Sequence, residues 1–92
     1  MNAEELIKLI SDYLEGKVNK EGQVVVDWKL TWDDIDYAMY VLSRQYYVME
    51  FTHMGYRVQK YDAKDFDPIV IVDKYDHKVY FKRIIPISEL FK

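Results

Sequence analysis

Two histidines, His53 and His77, are the side chains with which this 92-residue chain could begin nucleophilic chemistry. A serine or threonine becomes a nucleophile when a histidine takes its proton and an acid orients that histidine. His53 is expected at the end of a helix, where the helix dipole favours a cation, and His77 at the tip of a hairpin. Both positions therefore have a structural explanation. We predict no catalytic residue and no enzyme, because a small hydrolase would need a constellation that the sequence does not assemble.

Two groups of aspartates carry the oxygen ligands that a hard cation prefers. They are Asp62, Asp65 and Asp67 in one stretch, and Asp33, Asp34 and Asp36 in another. The first stretch lacks the glycine turn and the bidentate glutamate of an EF-hand loop. The second lies at an expected helix start, where negative charge complements the helix dipole. We therefore predict a solvated loop and a stabilised helix end, and no metal site.

Cofactor motifs are missing from the sequence. Gly16, Gly22 and Gly55 are isolated, so neither the GxGxxG nor the GxxxxGK[ST] phosphate-binding pattern occurs. The chain has no cysteine, which excludes disulfides, zinc fingers and thiolate catalysis. No cofactor is predicted.

Tyrosine is unusually frequent, with nine in 92 residues. Three of these tyrosines and one arginine lie along or beside the polar stripe of an expected helix, where simple solvation would favour Glu or Lys. They are Tyr37, Tyr40, Arg44 and Tyr47. Because tyrosine and arginine are enriched at protein interfaces, we predict that these four residues bind a protein partner. The competing interpretation is that the sheet or the first helix packs here and buries the tyrosines as ordinary core.

A basic hairpin near the C-terminus offers a second kind of site. Its cations are Lys74, Lys78, Lys82 and Arg83, and its interleaved aromatic residues are Tyr75 and Tyr80. Such a mixture can contact phosphates and stack on bases, so it is the candidate nucleic-acid site. The simpler explanation is a solvated hairpin whose charged edges discourage aggregation. Nucleic acid is therefore the less favoured partner.

The elements that must position these residues begin with a short helix. Asn2 followed by Glu5 fits a capping box, and apolar residues then recur every three or four positions before Gly16. This pattern predicts an amphipathic helix. The β-branched run after that helix predicts a strand over residues 23–30.

A second helix is predicted to begin after Thr31, whose hydroxyl caps helix N–H groups. The apolar periodicity continues as far as Gly55, a residue that commonly follows a helix end, so we expect one long helix over residues 32–54. The alternative is a break near Ser43. Residues 46–52 are rich enough in aromatic and β-branched side chains to form a strand instead.

Strands dominate the remainder of the chain. We expect a short strand over residues 56–61, a loop over residues 62–68, and a hairpin with strands over residues 69–73 and 79–85. The element order is α-β-α-β-β-β. Residues 1–92 are therefore expected to form one α+β domain, with a four-stranded, mostly antiparallel sheet covered by the long helix and the N-terminal helix.

Composition and charge limit the class of protein, its partners and its cellular location. The chain is 50% hydrophobic and 32% charged, which is typical of a folded domain, and its length allows only one. A net charge of −3 argues against a surface built wholly around a polyanion. No apolar run approaches the roughly 18 residues that span a membrane, and the first residues lack the positive charge of a secretory signal. We expect a soluble cytoplasmic protein with no membrane partner, located in the host cell if it is viral.

The sequence supports two functions as hypotheses. The small size, the missing cysteine and the abundance of Tyr, Lys, Ile and Val are similar to accessory proteins of viruses and mobile elements. The leading hypothesis is a non-enzymatic inhibitor that occludes the surface of a host or defence protein, with a two-fold homodimer as a compatible state. The alternative is a winged-helix transcription regulator, in which residues 44–54 form the recognition helix and residues 74–83 form the wing.

Overall fold

A computed structural model describes residues 1–18, 22–25, 29–52 and 54–82. Within these ranges the chain forms α1 (Ala3–Leu14), β1 (Gly22–Val25), α2 (Trp32–Leu42), β2 (Tyr47–Thr52), β3 (Gly55–Gln59), β4 (Ile69–Asp73) and β5 (Lys78–Lys82). The predictions for residues 26–28 and 83–92, and that for His53, lie outside the described residues. Neither helix in the described ranges is long and apolar enough to cross a bilayer.

Helix α1 begins and ends as the sequence predicts. The Asn2 side chain accepts a 2.8 Å hydrogen bond from the backbone N–H of Glu5, which satisfies one of the exposed donors of the first turn. After the helix, Gly16 adopts a φ of +74°, a left-handed conformation that costs glycine little. Four residues of the apolar stripe of α1 are buried: Leu6, Ile10, Tyr13 and Leu14.

Helix α2 is much shorter than predicted. Its capping box is present, because the Thr31 hydroxyl accepts from the N–H of Asp34 and the Asp34 carboxylate accepts from the N–H of Thr31. The expectation of one helix over residues 32–54 is wrong, since α2 ends at Leu42 and residues 47–52 form β2. The alternative with a break near Ser43 is confirmed.

The physical reason for the break is strand pairing. Strand β2 pairs antiparallel with β3, so that Val48 lies opposite Val58 and Met49 lies opposite Arg57. The hydrogen bonds between β2 and β3 satisfy the backbone N–H and C=O groups that a longer helix would have satisfied internally. The pairing also places the Val48 side chain against the hydrophobic core. A turn connects the two elements, in which the N–H of Tyr46 still donates to the carbonyl of Leu42.

The sheet has the strand order β1-β5-β4-β3-β2, and every neighbouring pair described is antiparallel. The predicted α+β class, with an antiparallel sheet and two helices, is confirmed. Among the described residues the sheet has five strands rather than four, because residues 47–52 add a strand at one edge. The predicted hairpin of β4 and β5 lies inside the sheet, with Val72 opposite Val79.

Both helices cover one face of this sheet. The helices bury Leu6, Ile10, Leu14, Ile35, Ala38, Met39 and Leu42, and the sheet buries Val58, Val70, Val72, Val79 and Phe81. Successive strand residues point to opposite faces, so the buried sheet residues alternate with residues on the other face. The Tyr13 ring meets the Phe81 ring edge-to-face at 4.9 Å between centroids, which joins α1 to β5. No helix of the described part covers the opposite face, which we call the open face.

The start of β3 is closely packed. A Cβ atom at Gly55 would lie 2.9 Å from the carbonyl oxygen of Val72 and would also contact the ring of Phe51. We expect Gly55→Ala to lower the free energy of unfolding by about 2 kcal/mol, because the β4 backbone must move to admit a methyl group. Urea denaturation measures this change.

A second glycine provides the comparison. Gly16→Ala meets no atom within 4 Å but keeps a positive φ, so we expect a smaller cost of about 1 kcal/mol. Equal stability of Gly55→Ala and wild type would contradict the close approach of β3 to β4.

Candidate functional site

Exposed aromatic side chains occupy the solvent side of α2. Tyr37 is 55% exposed and Tyr40 is 60% exposed, and their spacing of three residues places them on one face of the helix. The guanidinium of Arg44 lies 5.1 Å from the Tyr40 ring centre, and its Nη2 donates a 3.3 Å hydrogen bond to the Tyr40 hydroxyl. The structure therefore brings three of the four predicted interface residues together.

The fourth predicted residue, Tyr47, lies on edge strand β2 rather than on α2. Its ring packs edge-to-face with that of Tyr61, at 6.0 Å between centroids. Tyr61 is 66% exposed, and its hydroxyl donates to the carbonyl of Ser43 at 3.1 Å. The Ser43 hydroxyl in turn donates to the carbonyl of Tyr40 at 2.6 Å. These contacts connect the β2 edge to the C-terminal end of α2.

We call Tyr37, Tyr40, Arg44, Tyr47 and Tyr61 the tyrosine surface. Sequence reasoning missed Tyr61, because it precedes a loop and belongs to no helical stripe. Its exposed, aromatic character in a polar stretch was the available signal. The competing interpretation, in which another element buries Tyr37 and Tyr40, is wrong, since both rings are exposed.

Lys74, predicted as a phosphate contact, is buried instead. Its side chain is 7% exposed, and its Nζ donates a 2.8 Å hydrogen bond to Oδ1 of Asp36 on α2. The same Nζ lies 5.2 Å from the Trp32 ring centre and 5.5 Å from that of Tyr56. Its positive charge is therefore compensated inside the fold by a carboxylate and two aromatic faces.

The other predicted cations are dispersed. Lys82 is exposed at the end of β5, with its Nζ 5.8 Å from the Tyr80 ring centre, and Lys78 is partly buried at the start of that strand. Arg83 lies outside the described residues. The structure therefore does not gather the four predicted cations into one patch within the described ranges.

The winged-helix arrangement does not match this fold. Its recognition helix would occupy residues 44–54, but the chain there forms a turn and then β2 (Tyr47–Thr52). Its wing would be the hairpin of β4 and β5, which does form, with residues 74–77 as its turn. The expected recognition helix is therefore wrong.

Two tyrosine hydroxyls are bound to carboxylates. The Tyr56 hydroxyl donates to Oδ1 of Asp36 at 2.6 Å, and the Tyr46 hydroxyl donates to Oε1 of Glu15 at 2.9 Å. Burial and the bond to Glu15 raise the pKa of Tyr46 to about 12. Burial and the bond to Asp36 likewise raise the pKa of Tyr56 above its ordinary value.

The Asp36 carboxyl carries the opposite shift. Burial alone would raise its pKa, but hydrogen bonds from Lys74 and Tyr56, together with the Lys74 charge, outweigh burial and hold the pKa below its ordinary value. Asp36 therefore stays ionised and fixes both partners. Because its oxygen accepts two bonds at once, this carboxylate joins α2, β3 and the turn after β4.

Among the described residues, the aspartates and the histidine considered from the sequence do not come together in a metal site. His77 is buried in the turn between β4 and β5, with a φ of 52°. Across the described ranges, no group of three or more His, Cys, Asp or Glu side chains is placed to hold a metal ion. The first predicted aspartate group forms a loop, in which the Asp67 carboxylate accepts from the N–H of Lys64 at 2.8 Å.

Comparison with known proteins identifies no relative: no family model, curated protein or solved structure matches the chain. The function of the chain must therefore be inferred from the geometry of its own residues.

The Asp36 pair makes a direct prediction for stability. We expect Asp36→Asn to lower the free energy of unfolding by about 2 kcal/mol, because the buried Lys74 Nζ then has a neutral amide in place of its carboxylate partner. Asp65→Asn is the control, since this exposed side chain should change stability by less than about 0.5 kcal/mol. Urea denaturation at pH 7 compares the two variants. Equal stabilities would contradict the role of Asp36.

A second prediction concerns alkaline pH. The pKa of Tyr46 is about 12 in the folded chain against an ordinary 10.0. Its contribution is complete below pH 10 and is lost as the pH rises towards 12, because the unfolded chain ionises first. Tyr46→Phe cannot ionise. We expect the excess stability of wild type over Tyr46→Phe to shrink between pH 9 and pH 12, and a constant difference in urea midpoint would refute this.

Proposed function

We propose that this chain is a non-enzymatic protein-binding protein and that the tyrosine surface is its binding site. The observation that carries the proposal is the exposure of Tyr37 and Tyr40 on α2, with Arg44, in the turn after the helix, in contact with Tyr40. Exposed aromatic rings cost solvation free energy in an isolated monomer, and a partner would recover it. Tyrosine and arginine are also the residues that most often dominate binding energy.

Contacts among the side chains of this surface support binding. The Tyr40 ring is held by Arg44, and Tyr61 is tied to the end of α2 through the carbonyl of Ser43. Side chains that are already positioned lose less conformational entropy when a partner binds. A surface that spans a helix and an adjoining edge strand also gives a broad contact area.

Occlusion of a partner is the mode of action that we propose. Covering the surface of a host or defence protein requires contact area and no catalytic group, so an inhibitor of this kind fits the tyrosine surface. A cytoplasmic setting belongs to the same proposal, because a chain without cysteine needs no oxidising compartment. Nucleic-acid binding is less well supported, because residues 47–52 form a strand rather than part of a recognition helix and Lys74 is buried. We therefore propose no second function.

A double variant tests this surface. We expect Tyr37→Ser with Tyr40→Ser to change the free energy of unfolding by no more than about 1 kcal/mol, because both rings are largely exposed. The variant should lose the protein that tagged wild type captures from a lysate of the source cells, as identified by mass spectrometry.

Phe66→Ser is the matched control, since this exposed ring lies outside the tyrosine surface. It should capture the same protein as wild type. Unchanged capture by the double variant would disprove the binding site. Unfolding of the double variant would instead indicate that the two tyrosines stabilise the fold. If the partner is a second copy, sedimentation equilibrium will give a dimer for wild type and a monomer for the double variant.

A further inference from the structure

The open face of the sheet carries a groove at the end near the turn between β4 and β5. The groove has a volume of about 600 Å³, and its walls include the rings of Phe51, Tyr75 and Tyr80. Asp73 and Asp76 also line it. Ligand sites commonly measure about 300–1,000 Å³ and combine apolar walls with a few polar groups. The groove has both properties.

Strand register explains the apolar floor. Ile71 lies directly opposite Tyr80 on the neighbouring strand, and both point away from the helices. Phe51 lies at an irregularity in the pairing of β2 with β3, and its ring occupies the space above Gly55. A glycine is needed there because a side chain would displace this ring. Phe51 is thereby held over the sheet as one wall of the groove.

The turn fixes the acidic residues. The Asp73 carboxylate accepts a 3.0 Å hydrogen bond from the N–H of Asp76, which closes the turn and brings the two carboxylates to the same end of the groove. Lys74, between them in sequence, points to the helical side and binds Asp36. Lys78 lies across the strand pair from Asp73 and offsets one of the two negative charges. The turn end of the groove therefore keeps a net negative charge among its described side chains, whereas Lys82 lies at the other end of β5, with its Nζ 5.8 Å from the Tyr80 ring centre.

We propose that this groove binds an arginine side chain within an extended peptide segment of a partner protein. A guanidinium is the cation best suited to the walls, because it stacks on aromatic rings and donates paired hydrogen bonds to carboxylates. Apolar neighbours of the arginine would cover Ile71 and Phe51. A polyanion is disfavoured, since phosphates would face Asp73 and Asp76. The groove shares no residue with the tyrosine surface, and arginine binding does not depend on that surface.

NMR titration tests the groove with a defined probe. ¹⁵N-labelled wild type is titrated with the peptide acetyl-Leu-Arg-Leu-amide and, separately, with the same peptide carrying citrulline, which keeps the shape of arginine and lacks its charge. We expect amide shifts centred on Asp73, Tyr75, Asp76 and Tyr80, and a dissociation constant at least ten-fold lower for the arginine peptide. Equal affinities, or shifts confined to the tyrosine surface, would overturn the proposal.

Charge-matched variants locate the contact. Asp73→Asn with Asp76→Asn should weaken the arginine peptide at least ten-fold, while asparagine can still accept the turn hydrogen bond. Asp65→Asn with Asp67→Asn removes the same charge from another loop, in which Asp67 also closes a turn, and should leave affinity unchanged. If both double variants weakened peptide binding equally, the loss would reflect only the net charge of the protein, and the site would be refuted. Tighter binding of single-stranded oligothymidine than of the peptide would also refute it.

These outcomes are separable from those for the tyrosine surface. Tyr37→Ser with Tyr40→Ser should bind the arginine peptide as wild type does. If this double variant lost capture of the lysate protein but still bound the peptide, both sites would be supported. If wild type captured the lysate protein but did not bind the peptide, only the groove proposal would be refuted.

Discussion

One buried charge organises the molecule. The Lys74 ammonium is enclosed by Trp32 and Tyr56 and neutralised by Asp36, so it ties the turn after β4 to the first half of α2. A buried cation without such a partner is strongly unfavourable, which fixes the relative position of helix and hairpin. Both proposed surfaces depend on this contact. The Lys74–Asp36 contact orients α2, the helix that presents Tyr40. It also keeps the Lys74 ammonium on the helical side of the sheet, away from the groove beside Asp73.

The second constraint is that the two short helices of the described residues both lie on one face of the sheet. Valines and Phe81 fill the covered face, and the alternation of each strand then places Ile71, Tyr80 and Arg57 on the other. The described residues contain too little helix to cover the sheet on both sides. Exposed apolar area is therefore a direct result of the architecture, and the groove forms where the β4–β5 turn and Phe51 rise above that face.

Local signals predicted the parts of the fold that local interactions determine. The caps at Asn2 and Thr31 and the hairpin of β4 and β5 are confirmed at their expected places. The length of α2 is not a local property, because residues 47–52 fit a helical period but gain a ladder with β3. Two of the three tyrosines placed on the helix are exposed there, whereas the third lies on a strand. The burial of Lys74 was unpredictable, since its partner is 38 residues away in sequence.

The strand order also constrains how the chain acquires its structure during synthesis. Strand β1, made early, has β5 as its neighbour in the sheet, and Tyr13 of α1 packs on Phe81 of that last strand. A nascent chain that lacks residues 78–82 can form β2, β3 and β4, but β1 then has no strand to pair with and Tyr13 has no Phe81 ring to pack against. Loop-closure entropy makes such distant pairing slow. Among the described elements, the sheet and the packing around Tyr13 are therefore complete only once β5 has been made.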